Sequence, residues 1–196
     1  GPGLAAIRQA QADGRGILFL GGHYGHFDAG RIGLRTRGLE VGAVYRQQNN
    51  PWFHRFMIER LERAGGPLVP RGLAGMRQMI RHLRSGGAMG ILIDQKMGLG
   101  TPLDFLGHPA MTSTEAAELA VRLDLLVITG VARRRPDGGF KLVIEGPLPH
   151  GDPVAMTQTV NDFLSSNILE DPTEWYWLHR RWAKPKGMRK PRPEAK

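Results

Sequence analysis

Apolar and polar positions along the chain alternate between two periods. Short β-branched or aromatic runs, GILFL (16–20), VGAVY (41–45) and AMGILI (88–93), have the length and continuity of buried strands. Between them the apolar positions recur every three to four residues. A helix is expected over 28–37. Another is expected after Asn50 and Pro51, a capping residue followed by a proline suited to the first turn, with an apolar stripe of Phe53, Phe56, Met57, Leu61 and Ala64 ended by Gly65-Gly66. PLVP (67–70) reads as a short extended piece, and Leu73, Met76, Ile80 and Leu83 as the stripe of a helix closed by Gly86. Met76, Met79 and Met89 read first as core filler.

The stretch 96–111, with its glycines and prolines, reads as a long loop. Thr112-Ser113-Thr114-Glu115 has the pattern of a capping box before AAELAVRL. LLVITGVARR and FKLVIEG flank PDGG as a hairpin, and a last helix is expected over 153–169. Strand-helix alternation ending in a hairpin predicts an α/β fold with a mixed, mostly parallel central sheet flanked by helices. It is read as a single domain over 1–182 followed by a basic, Pro-rich tail, 183–196.

Composition narrows the function. The chain has 196 residues, 41% hydrophobic and 23% charged, ordinary for a globular domain. Cysteine is absent, which excludes disulfides, thiolate metal sites and a Cys acyl-enzyme. No apolar run approaches the ~18 residues of a membrane span. The net charge of +9 points to anionic partners. Six Lys/Arg against one Glu in 183–196 contribute much of it. A nucleic-acid-binding module built on that tail and on WYWLHRRW (175–182) is the rival reading, but no RRM, KH or helix-turn-helix signature supports it.

The candidate chemistry lies in GGHYGHFD (21–28), just past the carboxyl end of the first predicted strand, where ligands bind in such sheets. His23 and Asp28, separated by four residues, would bridge the strand-to-helix loop. Asp28 would accept a hydrogen bond from one ring nitrogen, and the other nitrogen would take a proton from a hydroxyl. The spacing alone is weak, because His54 and Glu59 share it inside a helix, where five residues turn about 140° and face the pair apart. Metal ligation by His23, His26 and Asp28, and a bland role as turn residues, compete with the acid-base reading. WYWLHRRW reads as an edge closing the core, a membrane-interface belt or a nucleobase-stacking platform, core closure first.

Six blocks in order change that balance: GGHYGHFD, YRQQNNPWF (45–53), PRGLAGMRQMIRHLRSGG (70–87), ILIDQ (91–95), DFLGHPAMTSTEAAELA (104–120) and WYWLHRRW. Together they resemble the late acyltransferases of lipid A biosynthesis, the lauroyl/myristoyl transferase family with the His-x4-Asp/Glu motif. No PEGTR-like block of the glycerophosphate acyltransferases is present, which favours the lipid A branch. The resemblance implies a glycerophosphate-acyltransferase-like sandwich that moves an acyl group from an acyl-carrier-protein or coenzyme A thioester to a hydroxyl of a lipid A precursor. It implies His23 as general base and Asp28 as its partner, with no metal or other cofactor. Arg46 and Asp94 match further polar motif positions, expected to bind substrate and hold the site together; Gln95, Gly25 and His26 join them as substrate-binding candidates.

His26 stands where the family often has an amide. Oxyanion donors are expected from the backbone N–H groups of the Gly-rich loop. Arg31, Arg46, Arg71, Arg77, Arg180 and Arg181 are the candidate phosphate contacts. Acyl-carrier protein, the glycolipid and the anionic surface of the bacterial inner membrane, on its cytoplasmic face, are the expected partners; nucleic acid is not. The family's N-terminal membrane anchor is not seen here, and the opening GPG has the look of a protease scar. Another glycolipid or a lysophospholipid is the alternative acceptor.

Overall fold

The computed structural model describes residues 2–97 and 100–182; the predicted basic tail and Gly98 of the predicted long loop lie outside the described residues. Six strands form one sheet: β1 (Ile17–Gly21), β2 (Val41–Tyr45), β3 (Leu68–Pro70), β4 (Ala88–Leu92), β7 (Leu126–Arg134) and β8 (Phe140–Glu145). Their order is β3-β2-β4-β1-β7-β8. All neighbours run parallel except β8, which pairs antiparallel with β7 through the predicted hairpin. The fold is therefore α/β with a mixed, mostly parallel sheet. β1 lies at the centre, and its unbroken apolar sequence follows from cover on both faces.

One face carries Leu18, Leu20, Met89 and Val127, packed with Ala117 and Leu119 of α5 (Glu115–Arg122) and Val160 and Leu164 of α6 (Pro153–Glu170). The other carries Ile17, Val41, Ala88 and Ile128, packed with Ile7 and Ala10 of α1 (Pro2–Ala12) and Leu34 of α2 (Phe27–Arg35). The sequence reading did not anticipate α1.

Two local expectations need correction. The stretch read as a long loop holds a two-stranded antiparallel hairpin, β5 (Thr101–Phe105) and β6 (His108–Thr112). Phe105 and Ala110 alternate inward there, with polar residues between, a period-2 signal too short to stand out among glycines and prolines. The capping box does not form. Thr114 gives its hydroxyl hydrogen to Glu118 at 2.6 Å, and Ser113 Oγ accepts from the Glu115 N–H at 3.3 Å.

The two helical stripes also shift. α4 (Leu73–Arg84) buries Gly75, Met79 and Leu83, while Leu73 and Met76 are exposed. Gly75 is required: an added Cβ would lie 1.7 Å from the Pro70 carbonyl oxygen. α3 (Pro51–Ala64) is capped as expected, Asn50 accepting from the Trp52 and Phe53 N–H groups at 3.0 and 3.2 Å, a contribution of about 1 kcal/mol. Yet its only buried residue is Ala64, and Trp52, Phe53 and Phe56 face outward.

Candidate active site

The parallel register builds the site. Gly21, the last residue of β1, pairs with Leu92, the last of β4, and the Ile93 N–H continues the ladder to the Gly21 carbonyl at 2.9 Å. Two residues beyond each strand end stand His23 and Asp94, which the register therefore sets opposite each other. Asp94 Oδ1 accepts from His23 Nδ1 at 2.7 Å; Oδ2 accepts from the His23 backbone N–H at 2.7 Å and from Trp175 Nε1 at 2.8 Å. Gly22 makes room for this, since a Cβ there would come within 2.9 Å of Asp94 Oδ2.

The Asp94 side chain is only 2% exposed. Burial by itself pushes its carboxyl pKa up, but the hydrogen bonds and charge of His23 and the Trp175 donor outweigh burial and hold it below the usual carboxylate value. An ionised Asp94 can only accept, so Nδ1 of His23 carries a proton, and in the neutral imidazole the lone pair is on Nε2. Nε2 lies 3.3 Å from the Gln95 amide nitrogen. The rings of Phe27 and Tyr176 flank the imidazole, with centroids 5.6 and 6.3 Å away.

The expected Asp28–His23 hydrogen bond is therefore replaced by Asp94–His23. Asp28 sits in the first turn of α2 and pairs instead with Arg31, three residues on, at 2.9 Å. Arg31 also donates to the Val41 carbonyl at 3.0 Å and to the Gly65 carbonyl at 2.5 Å. A buried guanidinium one helical turn away offers a carboxylate more than an imidazole already engaged by Asp94. Arg31, which also lines the cavity beside His23, thus ties α2 to β2 and to the end of α3.

Gly25 and His26 are drawn away from the imidazole. Gly25 has φ +57°, its N–H donates to the Glu174 carbonyl at 2.7 Å, and a Cβ would meet the Ala132 carbonyl oxygen at 2.8 Å. The His26 ring packs edge-on against Phe140, centroids 5.7 Å apart. His23, His26 and Asp28 accordingly point to three different partners rather than to one centre.

The segment after α6 supplies what the sequence reading missed. Its 174–176 stretch pairs with the loop after β1: Gly25 N–H to the Glu174 carbonyl, and Tyr176 N–H to the His23 carbonyl at 3.1 Å. It delivers Trp175 to Asp94. His179 Nε2 accepts from the Lys96 N–H at 2.5 Å, and burial holds its pKa below the ordinary histidine value. Arg181 is fully buried, donating to Thr112 Oγ1 at 2.5 Å, the Met111 carbonyl at 2.6 Å and the Gln95 carbonyl at 3.4 Å. Core closure accounts for Trp175 and Arg181, while Tyr176, Trp177 and Leu178 are exposed. The alternation of Trp, His and Arg in WYWLHRRW carried the signal, but only the third dimension says what each residue grips.

His23 opens onto a cavity of about 1120 Å³, at the large end for a small-molecule site. Its lining is largely apolar, with Val44, Val69, Met76, Met79, Ile91 and Leu119 among the walls, and the exposed Arg46 and Arg71 among its polar residues. The methionines read as filler thus divide: Met89 is wholly buried core, Met79 is both core and cavity wall, and Met76 is a half-exposed wall. Arg77 and Arg180 are exposed and do not line the cavity.

The arrangement is a carboxylate-oriented imidazole lining an apolar cavity, chemistry suited to deprotonating a hydroxyl beside a long apolar group. The chain is 28% identical over 95% of its length to a lipid A biosynthesis lauroyltransferase of Escherichia coli and 26% identical over 92% to a palmitoleoyltransferase of the same organism. It is 25% identical over 92% to a phosphatidylinositol mannoside acyltransferase of Mycobacterium tuberculosis. It spans about 62%, 60% and 58% of those proteins. The family model for bacterial lipid A biosynthesis acyltransferases matches residues 1–184, nearly the whole chain, and this protein therefore belongs to that family.

Proposed function

We propose that this protein is an O-acyltransferase that moves a fatty acyl group from an acyl-carrier-protein thioester to a hydroxyl of a lipid A precursor. The observation that carries this reading is the Asp94–His23 pair at the mouth of the apolar cavity. His23 Nε2 takes the proton of the acceptor hydroxyl as its oxygen attacks the thioester carbonyl. Asp94 holds the tautomer and stabilises the imidazolium that forms. Collapse of the tetrahedral species breaks the C–S bond, and the leaving thiolate takes the proton from Nε2. The step uses the chain's own residues and the thioester, with no acyl-enzyme and no added cofactor.

The cavity's apolar walls would hold the acyl chain, and Arg46 and Arg71 the anionic portions of either substrate. A net charge of +9 and the outward face of α3, with Trp52, Phe53 and Phe56 beside Arg55 and Arg60, support work at an anionic membrane surface, the cytoplasmic face of the inner membrane. Among the described residues no helix is long and apolar enough to cross a membrane.

The test is mass spectrometry of a tetra-acylated, Kdo-bearing lipid A precursor incubated with acyl-carrier-protein thioester. A product heavier by one acyl group, absent with His23→Ala, is expected; transfer retained by His23→Ala would refute the mechanism. An acyl-CoA arm separates the two donor classes.

A further inference from the structure

We infer that Gln95 is a further catalytic residue of the proposed transfer: its side-chain amide donates to the thioester carbonyl oxygen as negative charge develops there. The inference rests on the acyl-transfer reading above and adds the electrophilic half of the site to the basic half.

Three observations carry it. Gln95 Nε2 lies 3.3 Å from His23 Nε2, the nitrogen left with a lone pair once Asp94 engages Nδ1. In this arrangement the amide donates to the base itself. The acceptor hydroxyl needs that same lone pair, so binding it displaces the amide by about the width of a hydroxyl, toward the carbonyl being attacked. The amide carries two N–H donors and needs no proton transfer to serve there.

Secondly, the backbone of Gln95 is held from both sides while its side chain is exposed. Asp94 is fixed by three donors, the Gln95 carbonyl accepts from the buried Arg181, and the Lys96 N–H is held by His179. The point from which the amide reaches the site is thereby fixed, and only the side-chain torsions of residue 95 remain to adjust. His179 and Arg181 are in this sense positioning residues.

Thirdly, two of the backbone donors expected of the Gly-rich loop are already engaged. The His23 N–H is bound to Asp94 and the Gly25 N–H to the Glu174 carbonyl. The loop's glycines make close packing possible, at Gly22 against Asp94 and at Gly25 against Ala132.

In the balanced step, the hydroxyl proton passes to His23 Nε2 while the new C–O bond forms. The carbonyl π pair moves onto oxygen, which accepts from the Gln95 amide. The pair returns as the C–S bond breaks, and the thiolate leaves with the His23 proton. Steady-state kinetics of the full chain with acyl-carrier-protein thioester and lipid A precursor test this, using Gln95→Ala and Gln95→Glu.

Gln95→Ala is expected to lower kcat by about 10²–10³ with the acceptor KM within about threefold. Gln95→Glu, similar in size but acceptor-only, is expected to be no better than alanine. Both should melt with the parent protein, because the side chain is exposed. An unchanged kcat in Gln95→Ala, or a raised acceptor KM alone, overturns the assignment while leaving the acyl-transfer reading intact. A folded parent protein that makes no product with either donor overturns both.

Discussion

Replacing Asp94 by asparagine tests the dyad at one atom. The two carboxylate oxygens have different work: Oδ2 accepts from two donors, the His23 N–H and Trp175 Nε1, and Oδ1 accepts from His23 Nδ1 alone. An asparagine carbonyl at the Oδ2 position keeps two hydrogen bonds. The reverse orientation would set an NH2 against two N–H donors in a buried place, at about 1–3 kcal/mol for each unmet group. The amide nitrogen therefore takes the Oδ1 position and donates to Nδ1. This forces the ring proton onto Nε2, and the base loses its lone pair while the fold stays closed.

Where a buried carboxylate orients a catalytic imidazole, the same exchange costs kcat about 10⁴. Because the His23 side chain here is 23% exposed and the ring has some freedom to reorient, we expect a loss of about 10³–10⁴. That corresponds to about 4–5.5 kcal/mol in the barrier. The assay is steady-state acyl transfer with product quantified by mass spectrometry, alongside a thermal melt. A folded Asp94→Asn protein that keeps more than a tenth of the parent kcat would refute the reasoning.

Asp28→Asn should separate the motif from the mechanism. It weakens the pair with Arg31, so we expect about 2 kcal/mol off the unfolding free energy, less than for a fully buried pair because the Asp28 side chain is 21% exposed, and a kcat within tenfold of the parent. A kcat loss like that of Asp94→Asn in an equally stable protein would restore Asp28 to the imidazole. His179 gives a pH signature. Burial sets its folded pKa below the ordinary 6.5, so the unfolded chain binds the proton first and stability falls as the pH drops below about 6.5. Urea midpoints from pH 7.5 to 5 should slope less in His179→Gln than in the parent, and equal slopes would discount it. The triple change Trp52→Ser, Phe53→Ser, Phe56→Ser should reduce co-flotation with phosphatidylglycerol-containing vesicles without lowering the melting temperature, because these side chains are 50–81% exposed. Undiminished flotation would remove α3 from the proposed membrane contact.

Local chemistry was enough to set the alternation of elements, the cap at Asn50 and the hairpin at 134–140, because each depends on residues within a few positions of one another. The partner of His23 does not. His-x4-Asp put a carboxylate four residues beyond the ring's neighbour, but the register of β1 against β4 places Asp94, 71 residues away, within 2.7 Å. Parallel strands meet through crossovers, and nothing in either strand's own sequence fixes which pairs with which or in what register. Burial then decided the rest. Arg31 inside the fold claims Asp28, and Trp175 and Arg181 lock the loop carrying Asp94 and Gln95. Of the apolar stripe written on α3, Phe53 and Phe56 were left outside, Met57 and Leu61 are half-buried and Ala64 alone is buried. Residue identity alone says which groups are able to do acid-base chemistry; which of them meet is set by packing and strand register, because these bring residues distant in the chain into contact.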